Sequence, residues 1–277
     1  MNLLAHNEKL FLQLTIAVGM IGILHTPLAQ AERPFTLPAN AKQIAKDIYD
    51  LGTGMHNGEH VRGIAFIHRQ DRTAKPQGVG GGNKDKGGST CYAFISSGAK
   101  WKSVEDYIID SANLSGMSQS DVEGTIADAT RLWNDQASGR IFGSQVAGTV
   151  DGAETQTPLD DKNEIYFADI NDAAIGSNNT IAVTVTWGVF SGPPRARKLV
   201  EWDQVYNQSF TFGDASINTG IMDFLGIAAH EIGHAAGMDH PDSTCTEETM
   251  YAYAANGETK KRNLNEGDIV GIKKLYK

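Results

Sequence analysis

Apolar positions recur along this chain with two distinct periods, and those periods assign most of its elements. Over residues 180–187, Ile181, Val183, Val185 and Trp187 alternate with Ala and Thr, the pattern of a half-buried strand. Shorter apolar runs predict further strands at 61–68, 107–110, 140–146, 164–169 and 198–203. Helical spacing appears where Val122, Ile126, Ala129 and Trp133 share one face, after Ser118 and Asp121 set up a capping box. A second helix is predicted over about 219–236, with Ile221, Leu225, Ala228 and Ile232 on one stripe. A last helix starts near Asn265 and buries Ile269, Ile272 and Leu275. Residues 39–51 read as a short additional helix. One helix, a run of strands and two closing helices predict an α+β or mixed α/β layer fold.

The two ends of the first ninety residues carry other signals. Residues 10–24 are a mostly apolar run of 15, short for a bilayer span, and they lead through Pro27 to Ala29-Gln30-Ala31. Residues 1–31 therefore read as a signal peptide with the mature chain starting at Glu32, a retained anchor being the alternative; no other segment has the length and apolarity of a span. Residues 77–89, with Gly80-Gly81-Gly82 and Gly87-Gly88, read as a flexible linker. Charge changes sign across it: residues 32–90 hold 9 basic and 6 acidic side chains, and residues 91–277 hold 14 and 26. These features divide the mature chain into an N-terminal pro-region or tether, 32–90, and a catalytic domain, 91–277. Opposite charge suits a pro-region lying over a cleft, and a plain tether suits the sequence equally.

Export would place Cys91 and Cys245 in an oxidising compartment, where an even count favours one long-range disulfide over two buried thiols. The formal charge of −9 over 277 residues argues against nucleic acid as a partner.

The chemistry is concentrated in His230-Glu231-Ile232-Gly233-His234-Ala235-Ala236-Gly237-Met238-Asp239-His240. A helix puts His230 and His234, four apart, one above the other, at the spacing for two nitrogens to share one zinc ion. Glu231 is one residue round from the first ligand, placed to reach a water on the open side of the metal without binding the metal itself. Gly237 tolerates the positive φ that turns the chain sharply at a helix end and returns His240 beneath the other two. Pro241 keeps His240 extended and stops the helix from resuming. Three protein ligands leave a coordination position open, the mark of a catalytic rather than a structural site. Residues 91–277 contain no other histidine.

These residues match the extended signature H-E-x-x-H-x-x-G-x-x-H at every fixed position, and the chain thereby resembles the metzincin zinc endopeptidases. Met250, in Thr249-Met250-Tyr251 ten residues after His240, matches the family's methionine turn. Within metzincins the chain looks most like the matrixins and their microbial relatives, through Met250-Tyr251, Asp268-Ile269-Val270-Gly271-Ile272 with Leu275-Tyr276, and a helix ending in Trp133. The resemblance covers about residues 101–277. It implies a zincin-like α+β fold: a five-stranded twisted mixed sheet, an active-site helix, and a small C-terminal subdomain ending in a helix. It also implies that the strand at 180–185 borders the cleft and pairs with an extended substrate, and that residues 250–256 shape the pocket after the scissile bond. Tyr251 and Tyr253 are the pocket candidates; the position of the extra tyrosine ligand of astacins and serralysins is Ala252 here.

Two departures from matrixins change the expectation. Histidines for a second, structural zinc are missing upstream of the active-site helix, so one zinc is expected. The latency motif P-R-C-G-x-P-D is missing as well, since Cys91 sits in Gly88-Ser89-Thr90-Cys91-Tyr92. Calcium, often bound by matrixins, is considered at the acidic stretch 151–164 and at Asp169, Asn171 and Asp172; neither has EF-hand spacing, and solvated loop carboxylates suit both. His56-Asn57-Gly58-Glu59-His60 fits the inverted motif H-x-x-E-H, but Asn and Gly in a polar stretch argue for a loop. Arg195, Arg197 and Lys198 read as a solvated edge. The sequence thus predicts a secreted, extracellular or periplasmic, monomeric zinc endopeptidase acting on proteins or peptides, with no stable membrane association. The alternative is a secreted binding module that keeps zinc for structure.

Overall fold

Among the described residues, the alternating pattern of the chain becomes one ten-stranded sheet, two small two-stranded sheets, and helices packed in the core on one side of the large sheet. The computed structural model describes residues 34–71, 90–151, 159–170 and 174–277, so the leader, the Gly-rich linker, Asn171 and Asp172 lie outside the described residues. In chain order the strands and α-helices are Pro34–Phe35 (β1), Lys42–Ala45 (β2), Ile48–His56 (β3), Glu59–Gln70 (β4), Ala93–Phe94 (β5), Glu105–Ile109 (β6), Gln119–Asn134 (α1), Phe142–Gln145 (β7), Glu164–Ile170 (β8) and Thr180–Val189 (β9). They continue with Lys198–Asn207 (β10), Phe212–Gly213 (β11), Met222–Asp223 (β12), Phe224–Ala235 (α2), Met238–Asp239 (β13), Tyr253–Ala254 (β14) and Glu266–Leu275 (α3).

The main sheet runs β2-β3-β4-β9-β10-β8-β6-β7, with β1 beside β8 and β14 beside β4. Strands β7, β6, β8 and β10 are parallel, and β9 is antiparallel to β10. These are the five strands that the family resemblance implies. The N-terminal segment extends them, because β4 pairs antiparallel with β9 from Arg62 to Arg69, and the β2–β3 hairpin follows β4. The described residues belong to one compact unit.

Two clusters of buried side chains lie on the two faces of this sheet. Beneath it, Trp133, Trp202, Tyr206, Phe224, Ile232 and Met250 belong to the core shared with the helices. On the outer face, Tyr49, Leu51, Ile67, Tyr166, Val183, Val185 and Trp187 of the sheet's strands pack together with Phe35 and Leu37. This cover corrects the half-buried reading of β9: every residue from Thr180 to Gly188 is buried. Trp187 lies so close over β4 that a Cβ on Gly63 would stand 2.7 Å from its ring.

The helix expected at 39–51 is instead β2 and the start of β3. Tyr49 and Leu51 alternate into the outer core with a period of two, and Asp47 makes the reversal with φ of +61°. The active-site helix also starts later than about 219, at Phe224. Asp223 takes the N-cap position and accepts a hydrogen bond from the Gly226 amide at 3.0 Å, while Met222 and Asp223 pair with Phe212 and Gly213. Helix α1 has the expected capping box at Ser118 and Asp121. Among the described residues no helix is long and apolar enough to cross a membrane.

Candidate metal centre

Helix α2 is apolar nearly all round, and all but Leu225 of its residues are buried, as suits a helix held inside the fold. Two indoles hold it, one at its middle and one at its C-terminal end. Trp133 Nε1 donates to Ala229 O at 2.8 Å and Trp101 Nε1 donates to Ala235 O at 2.7 Å. The helix ends at Gly237, whose φ is +99° and whose Cβ position is blocked by Ala99 O at 2.9 Å. The chain then turns back through β13, which pairs with β5, and delivers His240.

The Nε2 atoms of His230, His234 and His240 stand 3.1 to 3.3 Å from one another. His230 Nδ1 lies 2.7 Å from Thr249 O and His234 Nδ1 lies 3.0 Å from Met238 O. A carbonyl only accepts, so these Nδ1 atoms carry the ring protons and the Nε2 lone pairs face inward. Lone pairs converging this closely need a cation between them. Nitrogens bound tetrahedrally at about 2.0–2.1 Å to one zinc ion are about 3.3 Å apart, so the three side chains fit the ion. Burial pulls all three imidazoles well below their ordinary pKa, His234 to about 3, which keeps them neutral as metal ligands must be.

Glu231 is fully buried beside them. Its Oε2 accepts from Thr184 Oγ1 at 2.6 Å, and its Oε1 is 2.9 Å from His68 Nδ1. Burial raises its pKa to about 8, against the lowering effect of the Thr184 hydrogen bond. A dication at the three histidines would draw that value back towards the ionised form.

Met250 is fully buried beneath the helix, and Gly233 leaves the room for it. The Thr249 and Met250 amides both donate to the Asp268 carboxylate, at 2.7 and 3.2 Å, which ties this turn to the first turn of α3. The buried Lys261 ammonium donates to Thr249 O at 2.9 Å and to Tyr251 O, and desolvation lowers its pKa to about 7. Tyr251 and Tyr253 meet edge to face with centroids 5.5 Å apart, and Lys46 Nζ lies 4.9 Å over the Tyr253 ring. The two cysteines are joined, with Cα atoms 5.7 Å apart, linking the start of residues 91–277 to the loop between His240 and Met250.

The other sequence candidates are placed as well. His56-Asn57-Gly58-Glu59-His60 is the β3–β4 hairpin, with Asn57 and Gly58 at positive φ, and His56 Nε2 meets Asp161 at 2.9 Å. Asp151, Asp160 and Glu164 do cluster, but Lys162 Nζ stands among them, at 2.8, 2.5 and 3.8 Å. Arg197 is not merely a solvated edge: it donates to Ser96 Oγ and Ser97 O at 2.9 and 3.0 Å, whereas Arg195 is exposed. Lys198 pairs with Glu59 at 2.7 Å.

His68, Thr184, Lys261 and Asp268 are the site residues that motif reading misses. His68 had one legible signal. Strand alternation puts Phe66 and His68 on the same face of 61–68, two rings aimed together. The Phe66 ring stacks on His234 with centroids 4.2 Å apart, and the His68 ring stacks on His230 at 3.8 Å.

The family profile described as Matrixin matches residues 100–277. Human matrilysin is 42% identical over 55 residues, a match covering 20% of this chain and 20% of that protein, so the chain spans about a fifth of the length of this curated relative. With most of its length matched by that profile and its histidines converging on one point, the chain belongs to the matrixin family.

Proposed function

We propose that this chain is a secreted zinc-dependent endopeptidase, with His230, His234 and His240 holding one zinc ion and Glu231 as the general base. The observation that carries the reading is the set of three Nε2 atoms 3.1 to 3.3 Å apart with a carboxylate on the same helix. Zinc bound there supplies a Lewis acid that brings the pKa of water down to about 7. Glu231 accepts a proton from the attacking water and delivers it to the leaving amine. Thr184 holds one Glu231 oxygen, while Thr249 O and Met238 O fix the ligand rings. Met250 is the floor beneath the ligands. Tyr251 and Tyr253 flank the following segment as pocket residues. Protein or peptide chains are the substrates, bound extended along β9.

The disulfide supports export, since such bonds persist in oxidising compartments. The protein acts as a monomer, without stable membrane association. Calcium would enter the Asp151, Asp160 and Glu164 cluster only by displacing the Lys162 ammonium.

Cleavage of a denatured proteome, with and without chelator, tests the activity, and Glu231→Gln tests the base. The variant should bind one equivalent of zinc and lose about 100-fold or more of its turnover, as expected for a lost general base. A chain that holds zinc but cleaves nothing in any form would be a binding module instead.

A further inference from the structure

The edge of β9 that should receive substrate carries another part of this chain. Strand β4 lies antiparallel along it, with Ile67 opposite Val183 and His68 opposite Ala182. On its other side β4 runs parallel to β14, with Arg69 beside Tyr253 and Gln70 beside Ala254. The Arg69 and Asp71 amides donate to Ala252 O and Ala254 O at 3.3 and 2.8 Å. Residues 67–71 are thus threaded between the strand and the wall segment, directly over the ligand histidines.

The side chains close what the backbone covers. The Phe66 ring lies on His234 and is edge-on to His240, and His68 lies on His230. His68 and Glu231 are both without solvent exposure. With Thr184 on one oxygen and His68 on the other, both oxygens of Glu231 are engaged in this form, and the His68 ring lies where the carboxylate would otherwise meet the cleft.

We infer that residues 66–71 occupy the substrate track of their own enzyme, with His68 latching the Glu231 carboxylate, so that the chain in this form is latent. The inference rests on the endopeptidase reading above and assigns the block to a histidine on the base. Charge attraction is not what seats the segment. Its arginines form their ion pairs within it, Arg62 with Asp50 and Arg69 with Asp47, and it is held by apolar packing, ladder bonds and the hydrogen bonds that Arg69 donates to Ile175 O, Gly176 O, Asn179 Oδ1 and Thr180 Oγ1. Opening needs only a local change. Strand β3 flanks β4 as far as Phe66, opposite Ile48, so the part from Glu59 to Ala65 can stay while residues 66–71 peel away, with loss of the Arg69 hydrogen bonds to residues 175–180.

The test uses the zinc-loaded full chain and its variants His68→Ala and Phe66→Ala/His68→Ala. Three readings are taken: hydrolysis of a quenched fluorescent peptide, the Kd for a peptide hydroxamate by calorimetry, and amide hydrogen exchange across residues 62–71. If the open form is about 1–10% populated, the full chain binds the hydroxamate about 10 to 100 times more weakly than its open form. A variant that opens fully should therefore bind about 10 to 100 times tighter and cleave faster. In the unaltered chain, saturating hydroxamate should speed exchange at residues 67–71, a reading that needs no variant to fold. Equal Kd values, together with unchanged exchange at 67–71 on inhibitor binding, would overturn the latch. Displacement of the strand with no peptide cleavage by any form would uphold the occlusion and overturn the endopeptidase reading instead.

Discussion

A Cβ placed on Gly233 would stand 2.2 Å from Met250 Sδ and 2.6 Å from the Trp133 ring. Three elements therefore meet where the active-site helix has no side chain. Met250 and Trp133 are both fully buried, so neither can swing into solvent to make room. Gly233→Ala should raise the intrinsic helix propensity of α2 and still destabilise the protein by about 1–3 kcal/mol through overpacking. Urea denaturation gives the cost; a neutral or stabilised variant would mean that the methionine turn yields freely.

The convergence of His230, His234 and His240 was legible because a helix and a single glycine turn bring all three together from eleven consecutive residues. Met250, ten residues on, lies fully buried against Gly233 of the same helix. What the sequence concealed is long-range. Nothing local connects His68 to Glu231, 163 positions away, or Thr249 to Asp268, and those pairs exist only because β4 enters the sheet and α3 docks under the turn. The helix read at 39–51 failed for a related reason. Its apolar residues suit either period, and tertiary burial of Tyr49 and Leu51 under the outer sheet face decided for strands.

The disulfide closes a separation of 154 residues and fastens Cys245, five residues after His240. In the chain-entropy account, removing a link of this span costs about 5 kcal/mol, less where the unfolded chain keeps structure. The double variant Cys91→Ser/Cys245→Ser should show that loss in urea, and should release zinc faster in competition with a chromogenic chelator. Unchanged zinc release would show that His240 is positioned without the bond.

Glu201 supplies a pH dependence away from the metal. It is 1% exposed, and burial raises its pKa to about 8; the Asp161 amide on its Oε2 lowers the value, and Asp160 and Asp161 raise it again. Asp203 and Glu164 face the same pocket, as does Lys162 through Asp160. The folded chain keeps this proton where the unfolded chain has lost it. The stability is therefore complete below the ordinary glutamate value of 4.5 and declines as pH rises towards 8. Glu201→Gln should make the fall in Tm between pH 5 and 8 shallower in calcium-free buffer. An identical slope would assign the dependence to Asp203 or Glu164.

Asp223 joins the start of the active-site helix to the C-terminal region. Its Oδ2 caps the helix at Gly226 N, its Oδ1 accepts from Ala215 N at 3.1 Å, and Arg262 pairs with both oxygens. Asp223→Ala removes the cap and leaves a partly buried guanidinium with only Asp214, at a combined cost of about 2–4 kcal/mol. Asp223→Asn keeps an N-cap acceptor and loses the charge, so it should recover about 1 kcal/mol of that. The two variants separate the roles in one urea experiment. Equal losses would mean that the Arg262 pair carries the stability, whereas full recovery in Asp223→Asn would assign it to the cap. Because His230 and His234 ride on the helix that Asp223 starts, zinc affinity should fall in the same order as stability.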